Sequence, residues 1–408
     1  MSAVHFRGSA GRAQRAALVD EGDRWRASKR TGTIAEPQPS TGTLMRILHV
    51  IQELGFGGAE RVVVTLVRGS RARGHEVAVA AVPGVLSDEL DAEIFRVPIV
   101  RRRLSRLPLA AREVARARHV FRADLVHAHN PGMAAVAALA TRRGRRPPGL
   151  ATMHGVPDED YARAARVLRL AGLPVVACGP GVAAALEEHS CPVTATIVNG
   201  VGAPPKPADR DAVEREWGIP TATPLLVTVG RLVEQKNHSL AIEALAHVPE
   251  AVLVIVGEGP LAKALEGHSR KAGVENRVIF AGGRDDARAI VAAADALVVS
   301  SHWEGLPLVA LEALAAGTPL VATAVRGVRE LVTHNENCLL VPPGDGRALA
   351  DELVRLLADP TLRQKLSAAG LVLASSYSEE AMVTRFLELY ERLTRGSNHK
   401  GRGHEFPL

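Results

Sequence analysis

From Arg46 onward the sequence alternates short apolar runs with amphipathic stretches, breaks at a proline cluster, and then starts the same alternation again. Strands are expected at residues 46–51, 77–82, 125–128, 149–152, 174–177 and 195–198, with helices near 59–73, 106–122, 131–142 and 180–188 between them. Such alternation specifies right-handed βαβ crossovers and a parallel sheet. The break falls at Pro204-Pro-Lys-Pro207 and runs through a charged stretch to Pro220-Thr-Ala-Thr-Pro224. Strands then return near 225–229, 251–256, 277–280, 296–299, 319–322 and 338–341, followed by helices near 345–358, 361–374 and 378–394. The fold class is therefore α/β, with two Rossmann-like parallel-sheet domains at 45–203 and 224–377 joined by a linker at 204–223. A C-terminal helix at 378–395 is placed to cross back to the first domain, and 396–408 reads as a flexible tail.

Residues 1–44 show no periodicity and read as a disordered basic extension. Met45, directly before the first strand, marks a candidate natural start, the preceding segment then reflecting an upstream start codon. A length of 408 residues suits two domains of ordinary size. Aromatic residues are only 3%, which argues against stacking platforms for single-stranded nucleic acid. No nucleic-acid partner is expected. The net charge of +6 hides an asymmetry, since residues 45–200 carry 21 basic and 14 acidic groups. This excess suits an anionic membrane surface or an acidic acceptor, and Arg-rich codon usage accounts for it equally well. Three cysteines, Cys178, Cys191 and Cys338, have no C-x-x-C spacing and fit a reducing compartment. No stretch reaches the ~20 apolar residues that span a bilayer, and no apolar leader opens the chain. The expected location is cytoplasmic, with peripheral attachment at the inner face of the cell membrane left open.

Three clusters carry the candidate chemistry. The first strand runs into Gly55-Phe-Gly-Gly-Ala-Glu60 and a helix, a turn whose amides can approach a phosphate. It fails as a dinucleotide fingerprint, because Glu60 stands where the third small residue belongs and the second strand ends at Val82-Pro83 rather than in an acid. The second cluster, Val229-Gly-Arg-Leu-Val-Glu-Gln-Lys-Asn237, sets Arg231 and Lys236 at the carboxyl end of a strand, where cations neutralise a diphosphate. The third is Ser300-Ser-His-Trp-Glu-Gly-Leu-Pro-Leu-Val-Ala-Leu-Glu312. Glu304 lies in its turn, and Glu312 follows about two helical turns later among Leu308, Val309, Leu311 and Leu314. A carboxylate in apolar surroundings costs several kcal/mol unless something bonds it, as two ribose hydroxyls would.

These motifs occur in order in one chain, and together they resemble the retaining glycosyltransferases of family 4, which have the GT-B fold of two domains facing a cleft. Supporting segments are Gly74-His-Glu-Val77, Asp124-Leu-Val-His-Ala-His129, Met153-His-Gly155, Asn199-Gly-Val201, Val256-Gly-Glu-Gly-Pro-Leu261 and Val278-Ile-Phe-Ala-Gly282. The resemblance implies transfer of a sugar from a nucleoside-diphosphate sugar to a hydroxyl acceptor, a glycan or lipid-linked one in the cell envelope, with no metal and no cofactor. It also implies roles. Arg231 and Lys236 would grip the diphosphate and Glu312 the ribose. Glu304, with the amides of Gly305 and Leu306, would hold the transferred sugar. The amides of Leu308 and Val309 would meet phosphate oxygens, and those of Gly57 and Gly58 would approach the diphosphate. His154 would reach the sugar across the cleft, and the loop at Gly282 and Arg284 would cradle the base. Front-face attack, with the leaving phosphate taking the acceptor proton, is the implied route, so no separate base is assigned.

Two departures from the family pattern stand out. Pro307 sits where many relatives have glycine and cannot donate an amide hydrogen. Ala177-Cys-Gly-Pro-Gly-Val182 replaces a common Val-Ser pair, with a role either on the acceptor side or in packing. His127 and His129 share a strand face but show no third metal ligand nearby in sequence. Residues 101–122 hold eight Arg against one Glu, and within them 106–122 reads as a basic amphipathic helix with Leu107, Leu109, Val114 and Val120 available for burial. Two rival readings remain at this level: a sugar-nucleotide epimerase of the same architecture, and a non-catalytic nucleotide-sugar-binding subunit. Turnover without an acceptor would mark the first; loss of the Arg231, Lys236, Glu304 and Glu312 set would mark the second.

Overall fold

Two parallel sheets, of seven and six strands and alike in the order of the first six, organise the chain, in a computed structural model that describes residues 43–100, 104–141 and 147–399. The basic extension expected at 1–44 falls outside these residues as far as position 42, and the end of the tail falls outside from position 400. In the first sheet the strands are β1 (Arg46–Glu53), β2 (Glu76–Val82), β3 (Glu93–Arg96), β4 (Leu125–His129), β5 (Gly149–Met153), β6 (Val175–Ala177) and β7 (Ala195–Thr196). They lie in the order β3-β2-β1-β4-β5-β6-β7. The second sheet holds β8 (Leu225–Val229), β9 (Val252–Val256), β10 (Val278–Gly282), β11 (Ala296–Val299), β12 (Leu320–Thr323) and β13 (Leu339–Val341), in the order β10-β9-β8-β11-β12-β13.

In both sheets the order turns back at the first strand, between β1 and β4 and between β8 and β11. A doubly wound sheet opens a crevice at that switch point, beyond the carboxyl ends of its strands. The central strands are Val-, Leu- and Ala-rich and buried on both faces, as parallel strands covered by helices must be.

Several local readings need correction. Strand β3 was not expected; it is a four-residue edge with no fully buried side chain, so its apolar signal is weak. The helix Tyr161–Ala171 was also missed, although Tyr161, Ala164, Ala165 and Leu168 form its buried stripe at helical spacing. The charged part of the linker folds as the helix Arg210–Trp217, N-capped by Asp209 and bonded to the second sheet through Arg210 and Asp295. The basic helix runs Leu107–Phe121 and buries Ala110, Ala111, Val114 and Ala117. Leu109 and Val120, expected inside, are 49% and 57% exposed. Small alanines take the contact face, where the helix packs against the helix Asn130–Ala140 and the first sheet.

The last helix, Glu379–His399, extends past the expected end of ordered chain at 395. Its Met382, Val383, Phe386 and Tyr390 belong to the same apolar cluster as Ile47, Val63, Val67 and Val79 of the first half. Tyr390 hydroxyl lies 2.7 Å from His127 Nδ1, so a polar bond as well as apolar packing ties this helix to β4.

Candidate functional site

Two loops, one after β8 and one after β11, meet at the switch point of the second sheet. Ser300 hydroxyl donates to the carbonyl oxygens of Lys236 (3.1 Å) and Asn237 (2.9 Å), and His302 amide donates to Gln235 oxygen (2.8 Å). These bonds stitch the loops together and bring Lys236 Nζ to 2.6 Å from Glu304 Oε1. Ser301 hydroxyl donates to the same oxygen at 2.7 Å, and Glu304 is only 5% exposed. A buried carboxylate needs such compensation, and here a cation and a hydroxyl supply it. Arg231 is exposed and makes no ion pair among the described residues. The backbone beside it is held by Gly230 amide to Val256 oxygen and Leu232 amide to Glu258 oxygen, both 2.9 Å. The Val256-Gly-Glu-Gly-Pro-Leu261 segment is thus the support of the Arg231 loop.

Pro307 is the extended N-cap of the helix Leu308–Ala316 and offers no side-chain cap. The amides of Leu308 and Val309 fall in its first turn, where no intrahelical acceptor exists, so they are available to an anion. Glu312, on the same helix, is partly buried, and burial pushes its carboxyl above the usual range while Arg288 opposes the shift. Arg288 Nε stands 3.5 Å from Glu312 Oε1, and its Nη2 donates to Gly202 and Ala203 oxygens at 3.0 Å each. Sequence reading missed Arg288, which lies 24 positions from Glu312 with no motif linking them.

Gly282 adopts φ +67°, a conformation that favours glycine, and its oxygen accepts from Gly257 amide at 2.7 Å. Arg284 is engaged in ion pairs. Its guanidinium bonds Glu216 (2.6 Å) and Asp286 (2.8 Å) and lies 5.7 Å from the Trp217 ring. The side chain joins the helix Arg210–Trp217 to the loop after β10, whose backbone at Gly282 lies beside it.

The first half comes to this site through backbone. A Cβ on Gly155 would lie 2.5 Å from Gly305 Cα, and one on Gly305 would collide with the His154 carbonyl oxygen. Only glycine at both positions permits the approach. Gly58 faces the same helix start, since a Cβ there would stand 3.8 Å from Leu308 Cδ1, and Gly57 is the extended N-cap of the helix Gly58–Arg71. The Cys178-Gly-Pro-Gly181 segment packs between the halves. A Cβ on Gly179 would meet Leu306 at 3.4 Å, and Gly181 oxygen accepts from Arg326 at 3.2 Å. Arg326 also bonds Asp158 at 3.1 Å, so it bolts the two halves together.

The histidines need a further correction. Parallel register aligns His49 of β1 with His127 of β4, so a third imidazole joins His127 and His129. His49 Nδ1 lies 3.1 Å from His129 Nε2, and His129 Nδ1 lies 3.0 Å from His154 Nε2. His127 packs against His129, with ring centroids 4.1 Å apart, but makes its hydrogen bonds elsewhere, Tyr390 hydroxyl and Thr152 hydroxyl each standing 2.7 Å from one of its ring nitrogens. Burial lowers the pKa of His49 to about 3 and of His154 to about 4, and holds His127 and His129 well below the usual imidazole value.

Comparison with known proteins agrees with this geometry. Residues 56–202 match the model described as Glycosyltransferase Family 4, and residues 209–371 match Glycosyl transferases group 1. A lipopolysaccharide core biosynthesis glycosyltransferase, LpsD of Rhizobium meliloti, is 30% identical over 368 residues, which cover 85% of this chain and 98% of that one. Among solved structures, Anabaena Alr3699/HepE in complex with UDP-glucose has a TM-score of 0.75 at 24% identity, covering 85% of this chain and 100% of that one. Sucrose-phosphate synthase of Thermosynechococcus elongatus has a TM-score of 0.77 at 24% identity, covering 86% and 100%. The class defined by fold and site is the GT-B enzyme. The chain belongs to glycosyltransferase family 4, and it moves a sugar from a nucleotide-sugar donor to an acceptor.

Proposed function

We propose that this enzyme is a retaining hexosyltransferase that uses a UDP-sugar and builds a cell-envelope glycan on a lipid carrier. The observation that carries the reading is the pair of the half-buried Lys236 with the buried Glu304, seated where Gly305 meets His154 and Gly155. Donor entry draws Lys236 towards the β-phosphate beside Arg231, and the released Glu304 carboxylate accepts from hydroxyls of the sugar. Gly305 and Leu306 amides and His154 hold the sugar's other edge. Glu312 takes the ribose hydroxyls, and the Leu308 and Val309 amides stabilise phosphate charge as the leaving group departs. The bond from the anomeric carbon to the phosphate oxygen breaks while the acceptor oxygen bonds the same face. The acceptor proton passes to the departing phosphate oxygen. Retention follows from this single-face exchange.

The envelope assignment draws support from the Rhizobium relative, named for lipopolysaccharide core biosynthesis, and the UDP assignment from the Anabaena complex, at the level of fold. For the lipid carrier, the supporting feature is the exposed face of the helix Leu107–Phe121, where Leu109, Arg112, Arg116 and Val120 stand outward at helical spacing. Peripheral contact with an anionic inner membrane face follows, and liposome sedimentation tests it. Equal recovery on neutral and anionic vesicles would end that part.

A thermal-shift panel of UDP, GDP, ADP, TDP and CMP on wild type and Glu312→Ala tests the donor site. At ~100 times its dissociation constant the true nucleotide adds roughly 2.7 kcal/mol. UDP is expected to stabilise wild type, with the shift reduced in Glu312→Ala by the equivalent of about tenfold in affinity. Anomeric analysis of the product then decides retention, and donor turnover to an isomer without acceptor would instead establish an epimerase.

A further inference from the structure

Three imidazoles form a continuous hydrogen-bonded row from the sheet core to the meeting point of the two halves: His49, His129, His154. The row uses both ring nitrogens of His129 and one each of the others. Its two end atoms, His49 Nε2 and His154 Nδ1, are buried and have no hydrogen-bond partner among the described residues. Each ring is neutral at physiological pH, because burial lowers all three pKa values. A neutral imidazole carries one N–H, and which nitrogen holds it is set by the bond the other makes. The row therefore has only two proton arrangements, running in opposite directions.

One arrangement puts N–H on His49 Nε2, in the fully buried core, and leaves a lone pair on His154 Nδ1. The other gives His49 Nδ1–H to His129 Nε2 and His129 Nδ1–H to His154 Nε2. It leaves only a lone pair in the core and places the unmatched N–H on His154. Each arrangement leaves one N–H unmatched, but the second moves it from His49, fully buried in the sheet core, to the half-buried His154 where the two halves meet and a ligand oxygen can accept it, so the second arrangement is favoured. We infer that His129, backed by His49, is a positioning residue that fixes His154 as the Nδ1–H tautomer, a hydrogen-bond donor for an oxygen of the bound donor. This deepens the proposed function and rests on its reading that His154 meets the donor sugar. His127 takes no part, since both its ring nitrogens are satisfied by Tyr390 and Thr152.

The full-length chain labelled with 15N-histidine gives the direct test, by two-bond 1H–15N spectra with His154→Gln for assignment. His154 is expected to resonate as the Nδ1–H tautomer. His129→Asn keeps an N–H at the Nδ position and preserves that state, whereas His129→Leu removes the bond and the bias. With UDP-glucose as the probe, His129→Leu is expected to lower kcat on the order of tenfold, with KM within about twofold, and His129→Asn to recover most of the loss. An Nε2–H His154 in the wild type, or a tautomer indifferent to His129→Leu, overturns the inference. So does one equivalent of zinc in the purified chain bound by these rings. Unchanged UDP-glucose turnover in His154→Gln would instead remove the donor contact of the proposed function, while the tautomer spectra still judge the row.

Discussion

The two halves of the enzyme share a strand order and a site position, yet they arm that position with opposite chemistry. At the switch point of the second sheet stand ion pairs, Lys236 with Glu304 and Arg288 with Glu312. At the switch point of the first sheet stand neutral imidazoles, glycines and backbone oxygen. The fold decides where a ligand can lie, and burial decides what charge state meets it there. Cations suit a departing diphosphate, and a neutral histidine row can orient a sugar without attracting a second anion. The difference is a property of side chains and their depth, since the two sheets themselves are alike.

Exchanging charge for neutrality in the second half gives the largest expected effect. Glu304→Gln keeps the shape but removes the carboxylate, and kcat should fall about a thousandfold, near 4 kcal/mol of barrier. Lys236→Ala should cost a similar factor, and the double variant little more than either, because the pair acts as one unit. Additive losses in steady-state assays would show that the two groups work separately.

Charging the first half is the converse experiment, and lowering the pH performs it. His49 and His154 have folded pKa values of about 3 and 4, below the value near 6.5 of an unfolded chain. The unfolded state therefore binds more protons between about pH 6.5 and 4, and stability present above that window is lost as pH falls through it. Glu312, with a raised pKa, works the other way over a single carboxylate. Urea midpoints should drop between pH 7 and 5, by a few kcal/mol at most in free energy. A midpoint that rises on acidification would mean the imidazoles are not held neutral by burial.

The contact that joins the halves comes next. Gly305→Ala directs a methyl at the His154 oxygen and should cost roughly 1–3 kcal/mol, whereas Gly282→Ala meets open space and suffers only from its positive φ, about 1 kcal/mol. Equal urea midpoints for the two variants would mean the halves do not approach as closely as the backbone geometry requires. Smallest is Tyr390→Phe, which removes the hydroxyl from His127 and should cost about 1 kcal/mol in urea unfolding without changing kcat. A changed kcat would draw His127 into the same row as His154.

Most strands and the Arg231, Lys236, Glu304 and Glu312 set were legible in the sequence because their signals are local. An apolar run of five residues, a glycine turn, or two carboxylates eight apart across a helix start can be read in one window. The edge strand β3 gave no such signal, since its side chains are half exposed. The partners of Arg284 were not legible, because a cation in a glycine loop looks the same whether or not Glu216 stands beside it. Arg288 and Arg326 were invisible because their partners are chosen by packing between distant segments.

What the sequence by itself determined is therefore the periodicity of two α/β halves, the break between them and the charged residues set after β8 and β11. Only the tertiary structure decided the rest: parallel register set His49 beside β4, 80 residues from its partner His129. It brought Gly155 against Gly305, Arg326 against Asp158 and Tyr390 against His127. The physical reason is range. Periodicity and turn chemistry act between neighbours along the chain, whereas register, burial and the closing of one half on the other act between residues that meet only once both sheets have formed.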